Sequence, residues 1–163
     1  MQQTSDIPRW PAADLADILL KKGWKLATAE SCTGGLIAAA CTDLAGSSAW
    51  FERGFVSYSN EAKSGLLGVD PEVIATHGAV SEEVVQAMVF GALLHSQAEV
   101  AVAVTGIAGP TGGSRAKPVG TVWFGFALPG QVQSETRLFE GDRAAVRAAT
   151  VQHALQRLVQ LLG

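Results

Sequence analysis

The chain is poor in charged residues. Asp, Glu, Lys and Arg make up 17% of its 163 residues, whereas about 25% is usual for a soluble domain. Apolar residues make up 48%, so a disordered chain is excluded and few charges remain to cover an exposed surface. We therefore expect part of the surface to be buried against a partner, most simply another copy of the chain in a homo-oligomer, either a dimer or a larger assembly.

The charge balance and the short apolar runs exclude two kinds of partner. Twelve Lys and Arg against fifteen Asp and Glu give a formal net charge of −3, whereas nucleic-acid binding by counterion release needs a basic excess. No apolar run approaches the roughly 20 residues of a membrane span. The first residues, Met1 to Asp6, lack the basic and apolar regions of a signal peptide. We expect a cytoplasmic protein that binds neither nucleic acid nor a membrane.

Cysteine and histidine are scarce and lie in no metal-binding pattern. If Cys32 and Cys41 lay on one helix, about 13 Å would separate them, and a disulfide tolerates about 7 Å between Cα atoms. No disulfide is therefore expected. His77, His95 and His153 lack the close spacing of metal ligands, so no zinc or iron site is expected.

The order of the predicted elements indicates an α/β fold. Apolar periodicity and capping residues predict helices that open at Trp10-Pro11, after Gly35, at Asn60, at Pro71, at Ser81 and at Asp142. Strands are predicted over residues 25–29, 53–59, 99–105, 120–128 and 132–140, the last two joined by a Pro129-Gly130 hairpin turn. We expect a single-domain mixed β-sheet with helices packed on its faces, formed by residues 10–163 after a tail of residues 1–9.

The segment from Thr28 to Gly35 lies between a predicted strand and a predicted helix and is rich in small polar residues. Unpaired N–H groups at the start of that helix, together with its dipole, suit an oxyanion or a phosphate near Ser31. The alternative is that Ser31 or Thr33 simply caps the helix. The spacing alone does not distinguish a nucleophile from a cap.

A serine nucleophile needs a base. The three histidines, in a predicted turn and on two predicted helices, are more typical of solvated or core residues. Lys63 is the other candidate, because burial lowers the pKa of a lysine from about 10.4. Tyr58, the only tyrosine in the chain, lies near it and has a hydroxyl suited to passing a proton or orienting the lysine. A solvated surface lysine is the commoner alternative.

Residues 106–118 form a glycine-rich segment after the most apolar predicted strand, where open α/β sheets bind ligands. The segment matches neither the phosphate loop nor the dinucleotide fingerprint, and a flexible connector is the alternative. Arg143, in the first turn of the last predicted helix, has the chemistry to hold a phosphate together with free N–H groups. A solvated arginine has equal weight.

Taken in order, these segments resemble the C-terminal domain of the CinA (competence/damage-inducible) family, most closely its stand-alone nicotinamide-nucleotide amidohydrolases. The resemblance covers roughly residues 10–160 and rests on residues 29–35, 45–51, 58–63, 77–82, 105–110 with 117–122, and 141–143. It implies a CinA C-terminal-domain-like fold. The additional N-terminal domain of the larger CinA proteins, with its pyrophosphatase activity, is expected to be absent.

The resemblance also implies a reaction and its residues. The expected reaction converts nicotinamide mononucleotide (NMN) and water to nicotinate mononucleotide and ammonia, in the recycling of NAD. A Ser–Lys hydrolase without metal or cofactor is implied, in which Ser31 is the nucleophile, Lys63 the general base and Tyr58 the accompanying hydroxyl. From polarity and position, we predict that the substrate is held by Thr33, Gly34, Ser48, Thr105, Gly106, Gly109 and Arg143. The residues assigned to the ribose phosphate are Ser48, Arg143 and the loop of residues 106–113.

Two other functions stay open at this point. The first is a module that binds a pyridine nucleotide without chemistry, which would have no need to keep Ser31, Tyr58 and Lys63 together. The second is an amidase for another small amide, with the same mechanism and a different substrate. Cys32, beside the predicted nucleophile, is expected to be a small core residue.

Overall fold

The computed structural model describes residues 11–163. The predicted tail of residues 1–9, and Trp10 at the predicted start of the first helix, lie outside the described residues. The described helices are α1 Ala12–Lys22, α2 Leu36–Thr42, α3 Asn60–Leu67, α4 Pro71–His77, α5 Glu82–Leu94 and α6 Arg143–Leu162. The strands are β1 Leu26–Glu30, β2 Phe51–Val56, β3 Val100–Gly106, β4 Thr121–Leu128 and β5 Gln131–Leu138.

The five strands form one mixed sheet in the order β2-β1-β3-β4-β5, which confirms the predicted fold class. Strand β1 is parallel to both β2 and β3, whereas β4 is antiparallel to β3 and to β5. In the register of the two central strands, Glu30 lies opposite Val104. Because parallel strands end at the same edge of a sheet, the turn after β1 and the glycine-rich segment after β3 meet there.

Helices cover both faces of the sheet. Val100, Val102 and Val104 of β3 pack with α1, α2 and α6 on one face. Ala101 and Ala103 of the same strand pack with α3, α4 and α5 on the other. The central strand is buried on both faces, so its apolar run is continuous rather than alternating. None of the described helices is both long enough and apolar enough to span a membrane.

The segment between β2 and α3 differs from the prediction. The strand predicted over residues 53–59 ends at Val56, and the helix cap is Ser59 rather than Asn60. The Ser59 hydroxyl accepts a hydrogen bond from the N–H of Ala62 at 3.0 Å. The chain therefore leaves the sheet earlier than its alternation indicates, because a serine three residues past the strand caps α3. This early exit brings Tyr58 and Lys63 to the edge where β1 ends.

The two cysteines do not share a helix. Cys32 lies in the turn before α2, and Cys41 lies on that helix. Both are buried and free, as predicted. The helix caps predicted at Ser81 and Asp142 are confirmed, since each side chain accepts a hydrogen bond from an N–H in the first turn of its helix.

Gly91 allows α5 to pack directly against the end of α3, the helix that carries Lys63. A methyl group at Gly91 would collide with the carbonyl oxygen of Leu67. A methyl group at Gly65, within α3, would meet nothing within 4 Å.

The substitution Gly91→Ala is expected to lower the free energy of unfolding by about 1–3 kcal/mol, because overpacking forces α3 and α5 apart. The matched substitution Gly65→Ala should be neutral or raise it by up to about 1 kcal/mol through helix propensity. Urea denaturation of both variants measures the two effects, and equal stabilities would contradict this packing.

Candidate active site

A polar cavity of about 260 Å³ lies at the edge where β1 and β3 end. Its walls come from the turn after β1, the segment from β2 into α3, the segment joining α4 to α5, the end of β3 with the residues after it, and the first turn of α6. Several predicted site residues line it: Ser31, Tyr58, Lys63, Thr105, Gly106 and Arg143. Five separate parts of the chain therefore meet at the place where the parallel topology is expected to form a site.

Ser31 and Lys63 are in direct contact. The Nζ atom of Lys63 lies 3.0 Å from the Oγ atom of Ser31. Lys63 is only 2% exposed and Ser31 7% exposed. Burial lowers the pKa of Lys63, and this effect outweighs the opposing influence of Glu61. A lysine with a lowered pKa reaches its neutral form more readily, and only the neutral amine accepts a proton from a serine hydroxyl.

Tyr58 contacts this pair through its backbone rather than its hydroxyl. The Tyr58 carbonyl oxygen lies 3.2 Å from Lys63 Nζ and 3.4 Å from Ser31 Oγ. The side chain is 59% exposed, and its hydroxyl accepts a hydrogen bond of 3.2 Å from Nη2 of Arg143. The sequence predicted a hydroxyl beside the lysine, whereas the structure places a carbonyl oxygen there and the hydroxyl with Arg143.

Glu30 is a buried carboxylate that the sequence analysis missed. It is 1% exposed and accepts hydrogen bonds from the Thr33 hydroxyl at 2.6 Å, from the Ile37 N–H at 2.8 Å and from the Ala38 N–H at 3.1 Å. The N–H donors of α2 that were expected to serve a ligand are therefore already bonded. A glutamate that ends a strand just before a helix was a readable signal, because carboxylates favour helix N-termini.

The bonding of Glu30 occupies the side chain of Thr33. The Thr33 side chain is fully buried and donates to Glu30, so its hydroxyl is not available to a substrate. Its function in the fold is to hold the turn that carries Ser31.

The same turn keeps two backbone donors free near Ser31. Three N–H groups donate to backbone carbonyl oxygens: that of Ser31 to Val104, that of Gly34 to Ser31 and that of Leu36 to Thr33. Among the described residues, the N–H groups of Cys32 and Thr33 have no such partner. The residue after a nucleophilic serine commonly supplies an oxyanion donor, so Cys32 is placed where one is needed.

The thiol of Cys32 lies in the same wall of the cavity. Burial raises the pKa of this thiol to about 11, so it stays protonated at neutral pH and is a poor nucleophile. A side chain at Gly106 would come within 3.2 Å of the Cys32 sulfur and 2.7 Å of Val122. The close approach of these segments therefore requires glycine at position 106.

Two more predicted substrate residues are Thr105, in the wall of the cavity, and Gly109, which is bonded to Arg143 at its mouth. The Thr105 hydroxyl donates to the carbonyl oxygen of Ala79 at 2.9 Å. The carbonyl oxygen of Gly109 accepts a hydrogen bond of 3.0 Å from Nη1 of Arg143. Arg143 therefore joins the glycine-rich segment to Tyr58 across the entrance. Arg143 is a cation, and the lining includes no Asp or Glu among the described residues. The cavity is suited to an anionic ligand.

Two predicted substrate residues lie elsewhere. Ser48 precedes β2, at the sheet edge opposite Ser31, and a five-residue strand separates the two edges by roughly 16 Å. Within one chain, Ser48 does not reach the cavity. Gly34 is exposed on the outer side of the turn, next to Arg147.

The histidines do not line the cavity. His77 lies 3.7 Å from Glu83, at the end of α4, and His95 caps the end of α5. The ring of His153 packs on Phe124 at 4.6 Å between centroids. Over residues 11–163, no group of three or more His, Cys, Asp and Glu residues is arranged to hold a metal ion.

Comparisons with known proteins give one family. The family model for the CinA C-terminal domain matches residues 10–162. The nicotinamide-nucleotide amidohydrolase PncC of Escherichia coli K12 is 57% identical over 143 residues, 87% of each chain. The protein of the same name from Pseudomonas putida is 55% identical over 150 residues, which cover 92% of this chain and 94% of that protein. The crystal structure of the competence/damage inducible protein CihA from Agrobacterium tumefaciens superposes with a TM-score of 0.92, at 44% identity over the full length of both chains.

Replacing Lys63 by Met is expected to raise the free energy of unfolding at neutral pH, because it removes a buried amine whose pKa is lowered by burial. Between the lowered native pKa and the unfolded value of about 10.4, the unfolded wild-type chain binds more protons than the native one. The stability of the wild type therefore rises with pH through this window, and the advantage of the Lys63→Met variant shrinks.

Urea denaturation between pH 7 and pH 10 measures this advantage. The control is Lys21→Met on α1, where the lysine is exposed, and its stability difference should not depend on pH. An advantage of the Lys63 variant that stayed constant over the range would contradict a lowered pKa.

Proposed function

The chain belongs to the CinA C-terminal domain family, and from this we propose that it hydrolyses the carboxamide of NMN to nicotinate mononucleotide and ammonia, in the recycling of pyridine nucleotides. The observation that carries the proposal is the 3.0 Å contact between the buried Lys63 amine and the Ser31 hydroxyl. The relatives named for this activity share more than half of the aligned residues.

In the first half of the proposed reaction, Ser31 Oγ attacks the carboxamide carbon while Lys63 Nζ accepts the hydroxyl proton. A bond forms between Oγ and that carbon, and the carbonyl oxygen becomes an oxyanion. The free N–H of Cys32 donates to it. The C–N bond then breaks as the Lys63 ammonium returns its proton to the leaving nitrogen. Ammonia departs and a nicotinate ester remains on Ser31.

In the second half, water replaces ammonia. Neutral Lys63 accepts a proton from water, and the resulting hydroxide adds to the ester carbon. The bond to Ser31 Oγ then breaks, and Lys63 returns the proton to that oxygen. The product is nicotinate mononucleotide. In each half, the Tyr58 carbonyl oxygen, 3.2 Å from Nζ, stabilises the ammonium form of Lys63.

The phosphate of NMN has a natural place beyond the catalytic pair. A second hollow of about 490 Å³, between the glycine-rich segment and the start of α6, shares Ala108 and Arg143 with the Ser31 cavity. We place the nicotinamide ring near Ser31 and the ribose phosphate toward Arg143, whose guanidinium forms charge-assisted hydrogen bonds with phosphate.

The alternative of a binding module without chemistry is less well supported. No carboxylate pairs with Lys63 among the described residues, and a buried amine held only by a hydroxyl and a carbonyl oxygen costs stability. A role as the catalytic base gives a reason for Lys63 to be buried at this cost in stability. We also place the reaction in the cytoplasm, since its substrate is a phosphorylated nucleotide and the two buried cysteines are free.

The central test is ammonia release from NMN by purified protein with a chelator present. Ser31→Ala should reduce the rate by more than about 10³-fold, because it removes the nucleophile, while NMN still raises the melting temperature of the variant. The control is Ser134→Ala on β5, remote from the cavity. A wild type stabilised by NMN that releases no ammonia would support the binding module instead. Release from another nicotinamide compound but not from NMN would support a different amidase.

The kinetic constants for NMN and for nicotinamide riboside, which lacks the phosphate, test whether Arg143 contacts the phosphate. Arg143→Gln should raise KM for NMN by about 10- to 100-fold, the value of one or two charge-assisted hydrogen bonds, and should leave kcat/KM for the riboside nearly unchanged. The control is Arg137→Gln, an exposed arginine on β5 beside Glu135. An equal loss with both substrates would show that Arg143 does not act through the phosphate.

A further inference from the structure

We propose that Arg147 is a positioning residue for the nucleophile, acting through the turn that carries Ser31. The proposal rests on the proposed function, because it assigns a part in that reaction. Nothing in the sequence singled out this arginine, which lies one helical turn after Arg143 on α6.

Arg147 binds the turn at two adjacent carbonyl groups. Its Nε donates to the carbonyl oxygen of Cys32 at 3.1 Å, and its Nη2 donates to that of Thr33 at 3.2 Å. The side chain is partly buried. Gly34, with a φ of +58°, presents its bare Cα to the guanidinium, whose Nη2 lies 3.5 Å from where a side chain would begin. Among the described residues, no carboxylate pairs with Arg147, so its hydrogen bonds to the turn are its main polar contacts.

Glu30 binds the same part of the chain through its hydrogen-bond donors, whereas Arg147 binds its carbonyl oxygens. Its carboxylate accepts the Thr33 hydroxyl and the N–H groups of Ile37 and Ala38, while Arg147 donates to the carbonyl oxygens. An anion therefore binds the donors of this short segment, and a cation binds its acceptors. Such two-sided bonding fixes the backbone that sets the position of Ser31 Oγ against Lys63 Nζ.

The contact with Arg147 also changes the electronic character of the turn. The carbonyl of Cys32 belongs to the same peptide group as the N–H of Thr33. A guanidinium on that carbonyl oxygen polarises the peptide group and strengthens its N–H as a donor. The Thr33 N–H is one of the two donors beside Ser31 with no partner among the described residues. Arg147 thus strengthens the Thr33 donor without touching the reacting atoms.

Arg147 also borders the hollow in which we place the phosphate, and the kinetic constants separate the two roles. A direct phosphate contact acts on binding, so its loss raises KM. A positioning role acts on the chemical step, so its loss lowers kcat.

The test compares Arg147→Gln and Arg147→Lys with Arg157→Gln, a control on the same helix whose arginine pairs with Glu135. Arg147→Gln should lower kcat for NMN by about 10- to 100-fold, as expected for a slightly misplaced nucleophile, with KM changed by less than about twofold. Arg147→Lys keeps the positive charge and one reachable carbonyl, so its kcat should lie between those of the wild type and Arg147→Gln. Millimolar ethylguanidine should restore part of the kcat of Arg147→Gln and none of any loss in the control.

An unchanged kcat, or a raised KM with unchanged kcat, would overturn the proposal. Hydrogen exchange supplies a readout that needs no substrate: amides of residues 31–38 should exchange faster in Arg147→Gln than in the control, and equal exchange would count against it. If the wild type releases no ammonia from NMN, the proposed function fails, and the exchange result still decides whether Arg147 holds the turn.

Discussion

A buried lysine amine facing a serine hydroxyl is the constraint on which the rest of this structure depends. Lys63 has no carboxylate partner among the described residues, and its amine contacts only the Ser31 hydroxyl and the Tyr58 carbonyl oxygen. Lys63 is 2% exposed and lines the cavity, and three parts of the chain supply the groups that meet there. Helix α3 supplies the lysine, β1 ends at the serine, and the early exit of the chain from β2 supplies the carbonyl.

The second constraint is the short turn that follows β1. Glu30 accepts the N–H groups of Ile37 and Ala38 on one side of it, and Arg147 donates to the carbonyl oxygens of Cys32 and Thr33 on the other. The usual argument that a helix N-terminus offers its donors to a ligand does not apply to α2, because a carboxylate from the same chain occupies them. What remains is a rigid turn with free donors beside Ser31, which is better suited to stabilising one developing charge than to binding a phosphate.

The division of charge around the site follows from these two constraints. The protein is acidic overall, with a formal net charge of −3, yet the cavity is lined by Lys63 and Arg143 without a described acidic residue. The buried carboxylate Glu30 is turned away into the start of α2. This arrangement leaves a locally positive site that suits a phosphorylated substrate, although the composition of the whole chain gives no indication of it.

The sequence by itself determined the alternation of helices and strands, the caps at Ser81 and Asp142, and the segments that make up the site. These features arise from local preferences, so the residues that carry them can be read in order along the chain. The family resemblance added the roles expected of Ser31 and Lys63.

Only the tertiary structure decided which of the predicted residues meet. Parallel pairing of β1 with β2 puts Ser48 at the far edge from Ser31, and the turn geometry gives the Thr33 hydroxyl to Glu30. Arg147 reaches the turn at Cys32 and Thr33 across more than a hundred residues of chain. Such contacts depend on strand register and on the direction of side chains after packing, and neither is contained in the local pattern of any one segment.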